Sequence, residues 1–158
     1  MEITNFDLDP IPKDKRQNHW LLPNSICCLI CSPPGCGKTN LLLNPILKKN
    51  YLTLDRLHIY SKSLGQDKHQ FLKDCAEAFG KVVNKEIASF HSSSDDILPV
   101  EDLDKNERSV MIFDDVMLDK QGAIEKYFCQ GCHVGAGCLY LTQNYCRLPK
   151  QAIKDNSN

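Results

Sequence analysis

Ile26-Cys27-Cys28-Leu29-Ile30-Cys31-Ser32-Pro33-Pro34-Gly35-Cys36-Gly37-Lys38-Thr39-Asn40-Leu41-Leu42-Leu43 is the stretch that decides the fold. A six-residue apolar run leads into a Gly/Pro-rich loop, and a helix-like run of leucines leaves it. Strand, tight loop and helix are the context a phosphate-binding P-loop requires. Gly35 and Gly37 can take backbone angles that other residues resist, so the loop can curl round an anion. The N–H groups from about Gly35 to Asn40 would face phosphate oxygens, reinforced by the helix N-terminus. Lys38 would reach the β- and γ-phosphates, and Thr39 would place its hydroxyl on Mg²⁺. Pro34, Gly35, Cys36, Gly37, Lys38, Thr39 and Asn40 are therefore the candidate nucleotide-binding residues. Ser32 stands where the G-x-x-x-x-G-K-[ST] pattern has its first glycine. Serine is small, and Pro33 and Pro34 pre-set the next two φ angles.

The bulk of the chain agrees with one domain built around that loop. It has 158 residues, 42% hydrophobic and 25% charged, ordinary values for a globular domain with a sizeable core. Net charge is −1, so no global basic field advertises nucleic acid, and any DNA contact must be local or shared between subunits. No apolar run approaches the 18 residues of a membrane span. The acidic start, Met1 to Asp7, lacks the apolar core of a signal peptide. Nine cysteines are an odd number, and three of them lie in the run before the loop. Free thiols in a reducing intracellular compartment fit better than a disulfide framework. Cys129-x-x-Cys132-His133 is a zinc hint. No second short-spaced pair follows it, and Cys138 sits in an apolar run.

Residues 1–24 read as an irregular lead-in broken by Pro10, Pro12 and Pro23, and 25–158 as the nucleotide-binding domain. His19-Trp20-Leu21-Leu22 would pack on the sheet edge or cover the nucleotide base. Residues 26–31 predict a buried parallel strand. A helix is expected from about Gly37 to Asn50, bent at Pro45. Leu57 to Tyr60 predicts a second strand. Phe71, Leu72, Cys75, Ala78 and Phe79 predict a helix over 66–79, stopped by Gly80. Val82-Val83 and Ile87 to Phe90 are short strand candidates. The stretch from Asp95 to Glu107, with six acidic residues and one lysine, reads as a solvated loop or short helix.

Ser109-Val110-Met111-Ile112-Phe113-Asp114-Asp115 is the second informative stretch. Ligands of an α/β sheet collect at the strand C-termini. An apolar strand ending in carboxylates, about 75 residues after the loop, therefore delivers them beside the phosphates, as a Walker B strand does. Asp114 is the metal-side candidate and Asp115 is placed to polarise an attacking water. A helix is expected over Gly122 to Gln130. Gly137 to Gln143 predicts another apolar strand. In P-loop ATPases with an extra strand between the two motif strands, its C-terminus carries a polar sensor, a part that Gln143 fits.

With these motifs in place, the chain resembles the viral DNA-packaging ATPases of the FtsK/HerA superfamily, the type found in poxviruses and Maverick/Polinton elements. The matching residues are Ser32 to Thr39, Ile112-Phe113-Asp114-Asp115, and Gly131-Cys132-His133 through Leu141-Thr142-Gln143-Asn144-Tyr145 to Leu148-Pro149 and Ile153-Lys154-Asp155-Asn156. They span roughly residues 20–158. The resemblance implies an α/β, RecA-like P-loop NTPase with a mostly parallel sheet flanked by helices. It implies ATP and Mg²⁺ as cofactors, double-stranded DNA as the translocated partner, a homo-oligomeric ring, and capsid or portal-region proteins as further partners. Lys38 and Thr39 would bind the phosphates and Mg²⁺, Asp114 would assist the metal, Asp115 would be the catalytic carboxylate and Gln143 the sensor.

Where the family has arginine before His133 and before Asp155, this chain has Cys132 and Lys154. Arginine's planar fork braces a transferring phosphate better than lysine does. The related fold also continues with at least one more strand beside the P-loop strand, whereas this sequence stops at Asn158. The domain is therefore expected to be a fragment or shortened product lacking its last strand, with the run 26–31 at an open edge, or to have that edge covered by a partner. Two alternatives stay open: a degenerate nucleotide-binding protein without turnover, and a small P-loop kinase. The sparse arginines (Arg16, Arg56, Arg108, Arg147) speak against the kinase.

Overall fold

The computed structural model describes residues 18–48 and 51–158. Five strands form one sheet: β1 (Cys27–Cys31), β2 (Arg56–Ser61), β3 (Ala88–His91), β4 (Ser109–Asp114) and β5 (Gly137–Thr142). Their order is β1-β5-β4-β2-β3 and every pairing is parallel. Three helices connect them: α1 (Lys38–Leu47), α2 (Asp67–Val83) and α3 (Gly122–Gln130). The result is an α/β architecture, an all-parallel sheet flanked by helices. No helix among the described residues is long and apolar enough to cross a membrane.

Strand alternation sorts the core into two faces. Met111, Phe113, Cys138 and Tyr140 meet Ile124, Tyr127 and Phe128 of α3 on one side. Val110, Ile112, Leu139 and Leu141 meet Leu42 of α1 and Leu72 of α2 on the other. Every residue of β4 and β5 is buried. This is why both read as unbroken apolar runs rather than as alternating ones. Each such side chain stabilises the fold by about 1.5–3 kcal/mol through burial. Gly137 starts β5 because a Cβ there would lie 2.7 Å from Ile26 Cγ2.

α1 ends at Leu47, with Lys48 already extended at φ −78° and ψ 128°. It is therefore shorter than the expected run to Asn50. Pro45 lies in its last turn and removes one intrahelical donor. α2 corrects the reading of Gly80 as a stop and of Val82-Val83 as strand. All three residues are helical, and the stop is Asn84, left-handed at φ 51°, whose N–H donates to the Gly80 carbonyl. The glycine is there for close approach: a Cβ on Gly80 would meet the Lys85 carbonyl oxygen at 2.8 Å.

The acidic stretch holds short 3-10 turns at Ser94–Asp96 and Val100–Asp102, as the short-helix reading expected, and is better anchored than a solvated loop. Ile97, Val100 and Leu103 are buried in the core. Tyr127 Oη donates to the Leu98 carbonyl at 2.6 Å, and the Leu98 N–H donates to Tyr60 Oη at 3.2 Å. Residues 18–24 pack at the N-terminal end of the strands. His19 stacks on Tyr51 at 4.5 Å, Asn18 Oδ1 accepts from the Thr53 N–H, and Arg108 Nη2 donates to the Asn24 carbonyl. That is the end of the sheet opposite residues 32–37, away from a base bound there; Trp20 is 82% exposed, while Leu22 packs against the core cluster that includes Ile26 and Val110. The rest of the 1–24 lead-in lies outside the described residues.

β1 is an edge strand of the described sheet. Its outer side is occupied at one end by Asn158. The Cys27 N–H donates to Asn158 Oδ1 at 2.9 Å, the Asn158 N–H donates to the Cys27 carbonyl at 2.8 Å, and Asn158 Nδ2 donates to the Ser25 carbonyl at 2.9 Å.

Candidate functional site

The sheet's C-terminal end brings the sequence-predicted residues to one row. Ile30 of β1 pairs with Leu141 of β5, Leu141 with Asp114 of β4, and Asp114 with Ser61 of β2. The loop from Ser32 to Gly37, Gln143 and Asp115 each follow a strand just beyond that row. β5 separates β1 from β4, so the exits of those two strands are two strand spacings apart, about 10 Å.

The loop leaves β1 with the Ser32 N–H donated to the Thr142 carbonyl at 3.2 Å. Pro33 to Cys36 are exposed. Gly35 and Gly37 sit at φ +76° and +85°, left-handed angles that explain why glycine is used at both positions. Lys38 opens α1 and folds back over the loop. Its Nζ donates to the Ser32 carbonyl at 2.7 Å and to the Pro33 carbonyl at 3.1 Å. The lysine thus ties the loop's end to its beginning. Thr39 is half-buried and Asn40 exposed in the same turn. No side chain caps this helix start and no acidic residue lies in its first turn. The unpaired N–H groups and the positive end of the helix dipole are uncompensated, a combination that accepts an anion.

The carboxylate side is built differently. Asp114 ends β4 and is only 8% exposed. Its Oδ2 lies 3.2 Å from His69 Nε2, from the first turn of α2, and accepts from Ser61 Oγ at 3.5 Å. Ser61 Oγ in turn accepts from the Ser63 N–H at 3.0 Å. Asp115 is exposed and stands at φ +58°, one of two non-glycine residues with positive φ among those described. A left-handed aspartate costs about 1–2 kcal/mol and persists where the surroundings impose it. Here the buried Val116 follows directly, and the Asp115 N–H points at the Leu141 carbonyl, 3.5 Å away.

Between the two sides, Thr142 is buried and its hydroxyl accepts from the Asn144 N–H at 3.2 Å. Gln143 projects from this turn and is exposed. Sequence reasoning missed Ser61 and His69. Ser61 ends a strand in the same row, a signal that could have been used. His69 becomes visible only when α2 is laid across the sheet, because 45 positions separate it from Asp114.

Lys38, Thr39, Asp114, Asp115 and Gln143 therefore share the sheet's C-terminal end. The zinc hint gains no geometry. Among the described residues no three His, Cys, Asp or Glu side chains are grouped to hold a metal. Cys129 instead accepts from Asn156 Nδ2 at 3.7 Å. Cys132 is exposed after α3, and Lys154 Nζ lies 4.3 Å over the Tyr145 ring. Two clefts lie away from residues 32–39. One of about 800 Å³ runs along α2 and β3, past Lys73, Glu77, Lys81, Ser89 and His91. One of about 500 Å³ lies between α1 and α2, lined by Ile46, Leu47, Leu72 and Phe79.

The donor set nevertheless fits a magnesium nucleotide. Backbone N–H groups and one ammonium suit phosphate oxygens, and a hydroxyl and a carboxylate are hard oxygen ligands of the kind Mg²⁺ takes. No family model, no curated protein and no solved structure matches this chain.

Proposed function

We propose that the chain is an ATPase domain that binds MgATP across the C-terminal ends of β1, β5 and β4 and couples its hydrolysis to the movement of double-stranded DNA. The observation that carries the reading is the single row Ile30–Leu141–Asp114–Ser61. β5 lies between the strand that leads into the loop and the strand that ends in Asp114, and Gln143 follows β5 directly. Bound MgATP supplies the transferable phosphoryl group. The loop N–H groups and Lys38 hold its phosphates, and Thr39 with Asp114 holds the metal side. Asp115 accepts a proton from, or orients, the attacking water. Gln143 hydrogen-bonds the γ-phosphate or that water. DNA, a ring of copies and capsid partners come from the resemblance of the motifs, since charge does not advertise them.

Turnover of ATP by purified protein with Mg²⁺, with and without double-stranded DNA, tests this beside Asp115→Asn. The expected result is DNA-stimulated turnover in the wild type, reduced about 10²–10⁴-fold in the variant with binding intact, the range for loss of a general base. Wild-type turnover retained in full by the variant would remove Asp115 from the mechanism.

A second reading, nucleotide binding without turnover, is favoured by Lys154. It stands where the resemblance expects arginine, and its ammonium is engaged over Tyr145. ATP binding with no turnover under any condition would select it.

A further inference from the structure

Asp114 is held from behind by two side chains that no motif contains. Its carboxylate is nearly enclosed, with the side chain 11% exposed, and the facing His69 side chain is 1% exposed. His69 arrives on the first turn of α2, where its own N–H donates to the Gln66 carbonyl at 2.9 Å. Nε2 comes to 3.2 Å from Asp114 Oδ2 but off the line of a straight hydrogen bond, and Nδ1 is buried with no partner. A buried imidazole with neither nitrogen in a well-aligned hydrogen bond requires an explanation, because such groups are rare and costly in native structures. Its nearest polar partner is the carboxylate. Ser61 Oγ reaches that same oxygen, and is itself fixed by the Ser63 N–H. Among the described residues both contacts fall on Oδ2, which leaves Oδ1 for a ligand.

We infer that His69, seconded by Ser61, is a positioning residue for the metal-side carboxylate. By occupying Oδ2 the two side chains fix the rotation of the Asp114 carboxyl group and present Oδ1 toward the cation that accompanies the nucleotide. This rests on the reading of Asp114 as the metal-side residue. Groups that orient a metal-binding carboxylate typically change metal affinity by about 10–100-fold when removed. The effect should be specific to the metal, because β5 lies between the strand that ends in Asp114 and the strand that leads into the phosphate-binding loop.

The test is ATP binding at graded Mg²⁺, measured by calorimetry, for wild type, His69→Leu, His69→Gln and Ser61→Ala. Glutamine can place an N–H near the position of Nε2, so it serves as the conservative rescue. In His69→Leu the Mg²⁺ concentration giving half-maximal enhancement of ATP binding should rise about tenfold or more. Affinity for ATP without Mg²⁺ should be unchanged, and His69→Gln should recover most of the loss. Equal Mg²⁺ dependence in wild type and His69→Leu would overturn the inference. So would a glutamine variant no better than leucine, which would reduce His69 to packing. If His69→Leu does not fold, Ser61→Ala decides: a rise of a few-fold supports the inference and no rise overturns it. Wild-type protein that binds ATP equally well with and without Mg²⁺ would instead show that Asp114 is not a metal-side residue, and both readings would fall together. No ATP binding at all would remove the P-loop assignment.

Discussion

The two halves of the candidate site are held by opposite means. The carboxylate half grows out of β4, every residue of which is buried, and its Asp114 is gripped from α2 and β2. The phosphate half grows out of β1, a half-buried edge strand, through a loop whose tip is exposed. What holds the loop is backbone chemistry: two left-handed glycines and the Lys38 ammonium on the Ser32 and Pro33 carbonyls. The difference teaches where each half can be changed. Substitutions near the carboxylates act first on stability, because the core and the site share residues. Substitutions in the loop act first on binding, because little of the fold depends on it.

The largest contrast should come from Phe113→Ala set against Leu29→Ala. Phe113 is fully buried, with Tyr60, Tyr127 and Tyr140 rings at 5.6, 6.0 and 6.3 Å. Its removal should cost about 3–5 kcal/mol, transfer and cavity together. Leu29 packs against the same cluster from the edge strand and is only partly buried, so about 1–2 kcal/mol is expected. Denaturant unfolding of the two variants measures the difference. Equal losses would mean that β1 is as deeply integrated as β4.

Lys38→Ala should invert the pattern. Charge-assisted hydrogen bonds to phosphate contribute roughly 1.5–3 kcal/mol each. ATP affinity should therefore fall by about 100-fold or more, while stability changes by under about 1 kcal/mol. Calorimetric binding and unfolding of the same sample check both. Unchanged affinity would remove the P-loop assignment.

Asn158→Ala probes the edge itself. It deletes the acceptor for the Cys27 N–H and the donor to the Ser25 carbonyl. About 1 kcal/mol of stability should be lost, and the bared edge should raise concentration-dependent association. Light scattering against concentration, beside denaturant unfolding, reads both. No change in either would show that the backbone contact of Asn158 alone closes this end of β1.

Much of this division was written in residue types. Continuous apolar runs ending in a Gly/Pro loop, in Asp114-Asp115 and in Gln143 are legible because burial on both faces and strand-end chemistry each demand a narrow set of side chains. Gly80 misled because one residue type serves two purposes, ending a helix and admitting a close neighbour, and only the Lys85 carbonyl beside it distinguishes them. The burial of Ile97, Val100 and Leu103 was hidden by the acidic residues around them. The grip of His69 on Asp114 left no local mark, since it depends on how α2 crosses the sheet. The left-handed backbone at Asp115 was equally silent, because aspartate is common in ordinary turns.

The smallest effect lies at the opposite edge and asks whether acid weakens the site or only the sheet. His58 on β2 faces Ser89 on β3, with Nδ1 2.8 Å from Ser89 Oγ, and His91 Nε2 reaches the same hydroxyl at 3.0 Å. Burial foremost, then His91 and Arg56, hold His58 below its ordinary value of 6.5, while Glu86 and Glu107 partly offset them. A histidine lowered in the folded state takes up its proton first when unfolded. Its contribution to stability is therefore complete above pH 6.5 and is lost as pH falls through the lower folded value. His58→Gln removes that titration, so between about pH 7.5 and pH 5.5 the variant should lose less stability than the wild type. Denaturant midpoints at the two pH values test it, and equal losses would exclude His58 as the source. The loop leaves the sheet at the far edge, and Asp114 ends the neighbouring strand β4 three residues beyond Met111, the partner of His58. If His58 is the source, ATP affinity measured under conditions that keep both proteins folded should follow the same pH profile in wild type and variant. A profile that shifted with His58→Gln would tie the β2–β3 edge to the carboxylate half of the site through Ser61 at the end of β2.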